Sequence, residues 1–297
     1  MGMQLAIRAD VDTAIGLRQG VPRLLELFRR HAVQASFFVS FGPDNSGRAL
    51  RRLWQPGFLL KMWRTNPFRL YGIKTLLSGT LLPSASIGEG APDLLKAIVA
   101  EGHELGIHGY DHVRWQDCLE ELGEEGIASE LAKSVSAYER LLGSRPVSSA
   151  APGWRCTPSS LTVQERFRFL YASDVRGSAP FFPVHDGRTF GTLQIPTTLP
   201  TMDELIGRQK DINNFLLALL KENLNVHTIH AEVEGRAYLS LFEQFLGEVC
   251  RRNVEMVTLR EVAERMLERG LEKVPRLPVA RGNVPGRSGW IACQGAA

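Results

Sequence analysis

Two histidines and two aspartates have the residue types and the spacings of a hydrolytic metal centre. His108 and His112 are four residues apart, so on a helical turn both imidazole rings could reach one cation. Asp10 and Asp12 are two residues apart, and in an extended segment their carboxylates point to the same side. Two histidines and one carboxylate form the ligand set of catalytic zinc-like sites that keep a position open for water. A second carboxylate that stays off the metal could act as the general base.

Each of these residues also has a structural interpretation when it is taken alone. His108 could be a core histidine and His112 a solvated one, while the aspartates could form a turn or an N-cap ahead of a helix that starts at Gly20. The metal interpretation is favoured because the histidine pair and the aspartate pair occur in one chain, and both pairs follow predicted strands.

Short apolar runs alternate with amphipathic helical patterns, which predicts a parallel sheet or barrel with helices packed against it. The predicted strands are 4–9, 35–40, 104–108, 146–150, 169–173, 193–196, 225–230 and 254–257, and the predicted helices are 20–31, 92–101, 124–142, 211–222, 238–251 and 259–268. Such folds place reactive side chains at the carboxyl ends of their strands. The candidate residues at those ends are Asp10, Asp12, His108, His112, Arg155, Asp174 and His230.

The composition is that of a globular protein, and it excludes several other classes. Hydrophobic residues make up 44% and charged residues 23% of the 297 positions, which excludes a disordered, collagen-like or coiled-coil chain. The four cysteines form no CxxC pair, so neither a disulfide framework nor a zinc finger is expected. The N-terminus has no signal-peptide pattern, and the longest apolar run, Phe215 to Leu220, is far short of the roughly 20 residues that span a bilayer. We therefore expect an intracellular or peripheral protein.

A basic and aromatic segment follows the second predicted strand. Between Asn45 and Gly88 there is no acidic residue, although the net charge of the whole chain is only +3. The segment suits an anionic membrane surface or a lipid phosphate group, while the alternative is a lid whose aromatic side chains are simply packed. Single-stranded nucleic acid would also suit it, but the hydrolase-like residues argue against that partner. The candidate membrane- or substrate-binding residues are Trp54, Trp63, Arg64 and Arg69.

The remaining histidines are expected to have structural rather than catalytic roles. His31 ends a predicted helix, where a cation suits the helix dipole, and His103 and His185 are expected at the surface. His227 lies three residues before His230 in a strand, so it should point to the opposite face and pack behind the barrel.

The order of these motifs resembles the NodB-type polysaccharide deacetylases, carbohydrate esterase family 4, over roughly residues 4–268. Four segments, 42–45, 149–155, 173–177 and 230–235, further resemble one branch of that family, the 4-deoxy-4-formamido-L-arabinose-phosphoundecaprenol deformylases. The resemblance implies an α/β fold, a distorted (β/α) barrel over residues 1–272 with a basic amphipathic insertion at about 45–90. A tail rich in Pro, Gly and Arg, 273–297, follows, and it is either disordered or wrapped around the barrel, where it could add phosphate contacts.

The resemblance also implies a role for each residue of the metal centre. Asp12, His108 and His112 would bind one divalent transition metal ion (zinc, cobalt or manganese), and Asp10 would be the general base. Most of the family has two adjacent aspartates in the first motif, whereas Val11 separates them here.

Three more residues receive roles from the same resemblance, and Glu232 is a candidate because it lies just past His230. Arg155 would hold the base, although the family's Arg-Pro motif is replaced here by the sequence 151–155, and His230 would be the general acid with Asp174 as its orienting partner. Glu232 could contact the sugar, although a solvated loop carboxylate is the alternative.

The implied activity is removal of a formyl group from a sugar linked to undecaprenyl phosphate, at the cytoplasmic face of the bacterial inner membrane. In that branch the product serves the decoration of lipid A with aminoarabinose and resistance to cationic peptides such as polymyxin. Two alternatives remain open: a deacetylase of N-acetylated sugars or polysaccharides, and a lipid-binding module without catalysis.

Overall fold

In the computed structural model, residues 2–48, 75–287 and 289–296 are described. The predicted membrane- or substrate-binding residues Trp54, Trp63, Arg64 and Arg69 lie outside this described part of the chain. The first three predicted strands and the helices between them fall inside it, as does the whole of the predicted tail except two residues.

The described residues form twelve strands, eight of which belong to the main sheet and correspond to the eight predicted strands. The strands are β1 Gln4–Val11, β2 Ser36–Val39, β3 Glu104–Ile107, β4 Ser148–Ser149, β5 Tyr171–Ala172, β6 Phe182–His185, β7 Arg188–Thr189, β8 Leu193–Gln194, β9 Leu224–His230, β10 Glu255–Val257, β11 Arg276–Gly282 and β12 Ile291–Gln294. Strands β6, β7, β11 and β12 are not among the predicted ones, and no described helix separates β5 from β8 or β11 from β12. The α-helices are α1 Val21–His31, α2 Pro92–Ala100, α3 His112–Cys118, α4 Gly123–Leu142, α5 Pro158–Phe167, α6 Met202–Leu205, α7 Ile212–Leu219, α8 Leu239–Arg251 and α9 Leu259–Glu268.

The main sheet is parallel throughout and has eight strands in the described chain. Its order is β10, β1, β2, β3, β4, β5 and β8, and β9 also pairs with β1. Seven of the eight residues of β1 are buried, because helices cover one face of the sheet while the other faces the inside of the curve. The sheet is the distorted (β/α) barrel that the sequence analysis expects, and its carboxyl edge carries the polar residues.

The helices form where an apolar stripe coincides with a start or stop signal. Helix α1 buries Val21, Leu24, Leu25, Leu27 and Phe28, the face that the sequence predicts, and ends at a left-handed Ala32. Helices α5 and α9 begin with capping boxes, which pair Thr157 with Ser160 and Thr258 with Glu261. No described helix is both long enough and apolar enough to cross a membrane.

Two π-helical turns, Gly16–Gly20 and Val233–Ala237, pack against each other beside the ends of β1 and β9. A Cβ atom on Gly20 would lie 1.9 Å from the carbonyl oxygen of Ala231, so this position must be glycine for the backbones to approach. The contact ties the loop after Asp12 to the residues that follow His230.

The C-terminal tail docks on the barrel. Strand β11 pairs in parallel with β6 and antiparallel with β12, giving a second sheet in the order β12, β11, β6 and β7. The backbone N–H of Arg176 donates to Ala292 at 2.9 Å, and Gln294 donates to the carbonyl of Arg176 at 2.7 Å. Of the two alternatives for the tail, the structure therefore shows the wrapped one.

Candidate active site

The predicted reactive residues gather at the carboxyl edge of the main sheet. In the ladder between β1 and β9, Asp10 is paired with His230, and aligned residues of parallel strands project to the same face. The N–H of Ala231 donates to the carbonyl of Asp10 at 2.9 Å, which fixes this register at the site itself. The candidate base and the candidate acid are thus neighbours across one strand pair.

Asp12, His108 and His112 form a compact donor set. The Nε2 atom of His108 lies 3.3 Å from Oδ1 of Asp12, and Nε2 of His112 lies 3.2 Å from Oδ2 of Asp12. One ligand atom from each residue fits within 4.8 Å of the others. In a tetrahedral site with metal–ligand bonds of about 2.1 Å, ligand atoms are about 3.4 Å apart. The three residues therefore have the chemistry and the spacing to hold one divalent ion.

The tautomer of His108 also favours a ligand role. Its Nδ1 atom is 2.9 Å from the carbonyl oxygen of Ala150, so Nδ1 carries the proton and Nε2 faces Asp12 with its lone pair. Burial lowers the pKa of His108, but the Asp10 and Asp12 carboxylates outweigh it and raise that pKa above its usual value. Burial raises the pKa of Asp12, but the two histidines outweigh it and hold that pKa well below its usual range.

The histidine pair converges by a different backbone geometry from the helical turn that its spacing suggests. His108 follows β3, Gly109 has a φ of +68°, and Asp111 caps α3 by accepting from the N–H of Arg114 at 3.0 Å. His112 is the first residue of α3, so a strand end and a helix start bring the two rings to a centroid distance of 5.3 Å. The expectation of a shared helical face is wrong, because Gly109 reverses the chain before the helix begins.

Arg8, which is not among the residues predicted from the sequence, holds Asp10. Its Nε and Nη2 atoms donate to the two oxygens of Asp10, each at 2.7 Å. Its Nη1 atom donates to the carbonyl and to the hydroxyl of Ser173, and the guanidinium lies between the rings of Phe38 and Trp154, at 5.5 and 5.3 Å. Arg8 is completely buried, so this bidentate pair fixes the orientation of the Asp10 carboxylate in the absence of solvent.

Arg155 occupies a different position at the same rim. Its guanidinium lies 4.2 Å from the ring centroid of Trp290, and its carbonyl accepts from the indole of Trp115 at 3.1 Å. The contact with Asp10 that the family resemblance gives to Arg155 is made in this structure by Arg8. A charged residue in the middle of an otherwise apolar strand, two positions before Asp10, is the signal that could have found it.

The carboxylate beside His230 is Asp203. Its Oδ1 atom lies 4.0 Å from Nδ1 of His230 and accepts from the hydroxyl of Thr201 at 2.5 Å. Asp174, by contrast, accepts from the side-chain amides of Gln164 at 2.8 Å and Gln194 at 3.0 Å. The orienting role of Asp174 at His230 stays a prediction. The sequence has no signal for Asp203 beyond the capping pattern of α6.

Glu232 and Glu234 are buried in the turn after His230. Burial raises the pKa of both, that of Glu234 to about 8, and the nearby Asp12 adds to the effect at Glu232. Glu234 accepts from the backbone N–H of His230 at 2.7 Å, and Glu232 accepts from Thr13 at 3.4 Å. The alternative of a solvated loop carboxylate at Glu232 is wrong, because only 1% of that residue is exposed.

The structure shows where two of the histidines with predicted structural roles, His227 and His103, lie. His227 is completely buried with its ring 5.3 Å from that of Phe245, and burial lowers its pKa to about 3, so it packs behind the barrel as predicted. His103 is buried and accepts from the N–H of Ala35 at 3.1 Å. Its predicted surface position is therefore wrong.

The start of the insertion is bonded to the loop that carries the histidines. The side-chain amide of Asn45 donates to Asp111 at 2.6 Å, and Asn45 accepts from Ser84 at 2.6 Å. Asp44 accepts from the N–H of Ala14 at 2.9 Å, next to the aspartate pair. The described flanks of the insertion thus lie at the rim of the candidate active site.

Comparisons with known proteins agree with this geometry. The polysaccharide deacetylase family model matches residues 10–172. The chain is 39% identical to the probable 4-deoxy-4-formamido-L-arabinose-phosphoundecaprenol deformylase ArnD of Shewanella sediminis, with 98% of this chain and 94% of that protein covered. It is 37% identical to the protein of the same name from Wigglesworthia glossinidia brevipalpis, with 94% and 98% covered.

The fold is also found among solved structures. A crystal structure of a probable polysaccharide deacetylase from Pseudomonas aeruginosa PAO1 superposes with a TM-score of 0.60 at 18% identity, covering 91% of this chain and 93% of that one. At this identity the likeness concerns the fold. Taken together with the family match and the full-length relatives, it leads to one conclusion: the chain belongs to the polysaccharide deacetylase family.

Proposed function

We propose that this chain is a metal-dependent deformylase that acts on 4-deoxy-4-formamido-L-arabinose linked to undecaprenyl phosphate. The products are formate and the free 4-amino sugar lipid, which would serve the modification of lipid A. The observation that carries the proposal is the gathering of Asp10, Asp12, His108, His112 and His230 at one edge of a barrel whose full-length relatives carry the deformylase name.

The reaction is hydrolysis of an amide. Water adds to the formyl carbon, the bond from that carbon to the sugar nitrogen breaks, and the nitrogen gains a proton while formate leaves. Asp12, His108 and His112 would hold a divalent transition metal ion (zinc, cobalt or manganese), which would supply Lewis acidity to the amide carbonyl and to the attacking water.

Asp10 accepts the proton of the attacking water. Its carboxylate lies 3.6 Å from Nε2 of His108, and Asp10 is not in the group that brings ligand atoms of Asp12, His108 and His112 within 4.8 Å of one another. Arg8 donates to both of its oxygens and holds the carboxylate in one orientation. A base fixed in this way needs little reorganisation when the proton moves.

His230 delivers a proton to the departing nitrogen. An amine is a poor leaving group as an anion, so cleavage of the amide requires an acid on that side. His230 is placed beside Asp10 by the strand register, and Asp203 faces its Nδ1 atom, which leaves Nε2 as the atom that gives up the proton.

Formate release is the direct test. Purified protein loaded with zinc, cobalt or manganese is expected to release formate from the undecaprenyl-phosphate-linked formamido sugar, and chelator-treated protein is expected to lose at least about a hundredfold in rate because the Lewis acid is gone. Formate is measured with a coupled dehydrogenase, and readdition of metal should restore the rate.

The same assay separates the competing activities. An N-acetylated sugar serves as the matched substrate, and acetate release that exceeds formate release would replace the proposal by a sugar deacetylase. A folded, metal-loaded chain that releases neither acid would support a lipid-binding module without catalysis. Either outcome contradicts the deformylase.

We propose that the protein acts at the cytoplasmic face of the bacterial inner membrane and binds its anionic lipid surface. Leu81 and Leu82 support a membrane contact, since they are 80% and 40% exposed on the described flank of the basic insertion. The hydroxyl of Ser78 donates to the carbonyl of Asp44 at 2.6 Å, which ties this flank to the active-site rim. An exposed apolar pair beside basic residues suits the interface of an anionic membrane.

Simultaneous replacement of Trp54, Trp63, Arg64 and Arg69 by alanine is expected to release the protein from anionic vesicles. Each arginine near such a surface contributes about 1 kcal/mol, so the two alone predict a loss of about thirtyfold in the partition coefficient. Vesicle sedimentation measures it, and formate release from a soluble short-chain substrate shows that the variant is folded.

A pair of leucine variants provides the matched control. Leu81→Ser with Leu82→Ser should also weaken vesicle binding, whereas Leu267→Ser with Leu271→Ser removes exposed leucines at the other end of the chain and should not. Equal binding of all variants to the vesicles would refute the membrane contact.

A further inference from the structure

A cluster of arginines and tryptophans, which we call the Trp154 cluster, lies next to His230. It consists of Trp154, Arg155, Arg176, Arg287 and Trp290. The guanidinium of Arg287 lies 4.4 Å and that of Arg176 5.1 Å from the ring centroid of Trp154, and the ring of Trp154 meets the ring of His230 edge-on at 6.4 Å. The indole of Trp154 therefore connects the cluster directly to the proposed acid, His230.

Two glycines of the tail, both with positive φ, approach the barrel closely beside two members of the cluster, Arg287 and Trp290. A Cβ atom on Gly286, whose φ is +95°, would lie 2.5 Å from the carbonyl oxygen of Glu204 in α6. A Cβ atom on Gly289, whose φ is +75°, would lie 2.8 Å from Nη2 of Arg155. Glycine at both positions lets the tail close over the rim, which brings Arg287 and Trp290 to the barrel.

Positive charge outweighs negative charge in the ion pair that joins the tail to α6. Glu204, only 1% exposed, accepts from Arg176 at 2.9 Å and from Arg287 at 3.5 Å through the same oxygen. Two guanidinium groups thus share one carboxylate, and their side chains are only 11% and 10% exposed. An anion can compensate such an excess of buried positive charge.

The backbone at Trp154 is strained. Its φ is +54°, directly after Gly153 at +61°, and a bulky residue rarely adopts this left-handed conformation. Strain of this kind persists where the surroundings enforce it, and it concentrates at functional sites. Here the indole meets the ring of His230 edge-on and also contacts the guanidinium groups of Arg176 and Arg287.

We propose that the Trp154 cluster binds the phosphate group of the substrate and so places the sugar at the catalytic residues. The inference rests on the proposed function, because the phosphate and the formamido group sit on carbons 1 and 4, at opposite ends of one sugar ring. Binding the phosphate beside Trp154 directs the other end of the ring toward His230. Guanidinium groups held against indole faces keep their N–H donors in the plane that suits bidentate phosphate binding.

The chemistry would equally suit a phospholipid headgroup, so the test uses soluble compounds. Two substrates are compared without membranes: 4-formamido-arabinose linked through phosphate to a short prenyl chain, and the methyl glycoside of the same sugar. For Arg287→Gln, the ratio of kcat/KM for the phosphate-linked substrate to kcat/KM for the glycoside is expected to fall by about tenfold or more, because a hydrogen bond to a charged group is lost. Arg287→Lys, which keeps the charge, should recover part of this ratio.

The controls separate a binding role from a structural one. Arg176 still neutralises Glu204 when Arg287 is replaced, so the variant keeps a paired carboxylate and is expected to fold. Arg276→Gln removes the same charge from an exposed position in β11 and should leave the ratio unchanged. An unchanged ratio in Arg287→Gln would overturn the phosphate site, and so would an effect that occurs only with anionic vesicles.

Failure of the proposed function has a different signature. If the wild-type protein releases formate from neither substrate, that function fails, and the site is judged by calorimetric binding of the short prenyl phosphate alone. Binding about tenfold weaker in Arg287→Gln than in the wild type supports the site, and equal binding rejects it.

Discussion

Replacing Arg8 with methionine is expected to lower the free energy of unfolding by about 3–5 kcal/mol and to abolish most of the activity. The side chain of Arg8 is completely buried and that of Asp10 is only 3% exposed, so the change leaves a buried carboxylate without its counter-ion. It also removes the two hydrogen bonds that Nη1 of Arg8 donates to Ser173. Methionine has a similar length and no charge, so packing between Phe38 and Trp154 is disturbed little. Chemical denaturation measures the loss.

The matched variant is the double replacement Arg8→Met with Asp10→Asn. Removing both charges takes away the uncompensated carboxylate, so the double variant should be more stable than Arg8→Met alone. Both should lack activity, because one has lost the orienting partner of the base and the other the base itself. If the two costs simply add, Arg8 contributes through packing, and the proposed electrostatic role in holding Asp10 is wrong.

The barrel could be predicted from the sequence because its signals are local. Strand β1 and helix α1 follow from apolar runs and apolar faces that need no knowledge of distant residues. The meeting of the aspartate pair with the two histidines could be predicted as well, because the aspartates follow one strand and His108 and His112 follow another, and parallel strands end at one edge. The choice of Asp12 as the candidate metal ligand came from the family resemblance. The conformation of the backbone between the two histidines could not be predicted. Two histidines four residues apart fit a helix as well as a turn followed by a helix start.

The orienting residues around the donor set depend on contacts between distant segments. Arg8 acquires its role because Ser173, Phe38 and Trp154 surround it, and none of these is its neighbour in sequence. Asp203 reaches His230 because α6 lies against the end of β9. The docking of the tail depends on glycines in the left-handed conformation. From composition alone, a segment rich in glycine fits a disordered tail equally well. Such contacts are properties of the folded chain.

His230→Ala is expected to lower kcat by two or more decades while the metal content of the protein stays unchanged. The imidazole is proposed to donate the proton to the sugar nitrogen, and loss of a general acid costs about a hundredfold to ten-thousandfold in rate. His230 is outside the donor set of Asp12, His108 and His112, so metal binding should survive. Formate release gives kcat, and elemental analysis of the dialysed protein gives the metal content.

Two aspartate variants identify the residue that orients His230. Asp203→Asn should lower kcat, by a smaller factor than His230→Ala, because Asp203 faces Nδ1 of the ring at 4.0 Å. Asp174→Asn tests the role that the family resemblance gives to that residue, and its contacts with Gln164 and Gln194 predict a smaller loss of kcat than in Asp203→Asn. The reverse order would assign the orienting role to Asp174. Loss of metal from His230→Ala would instead identify His230 as a fourth protein ligand of the metal. That result would contradict its role as the general acid.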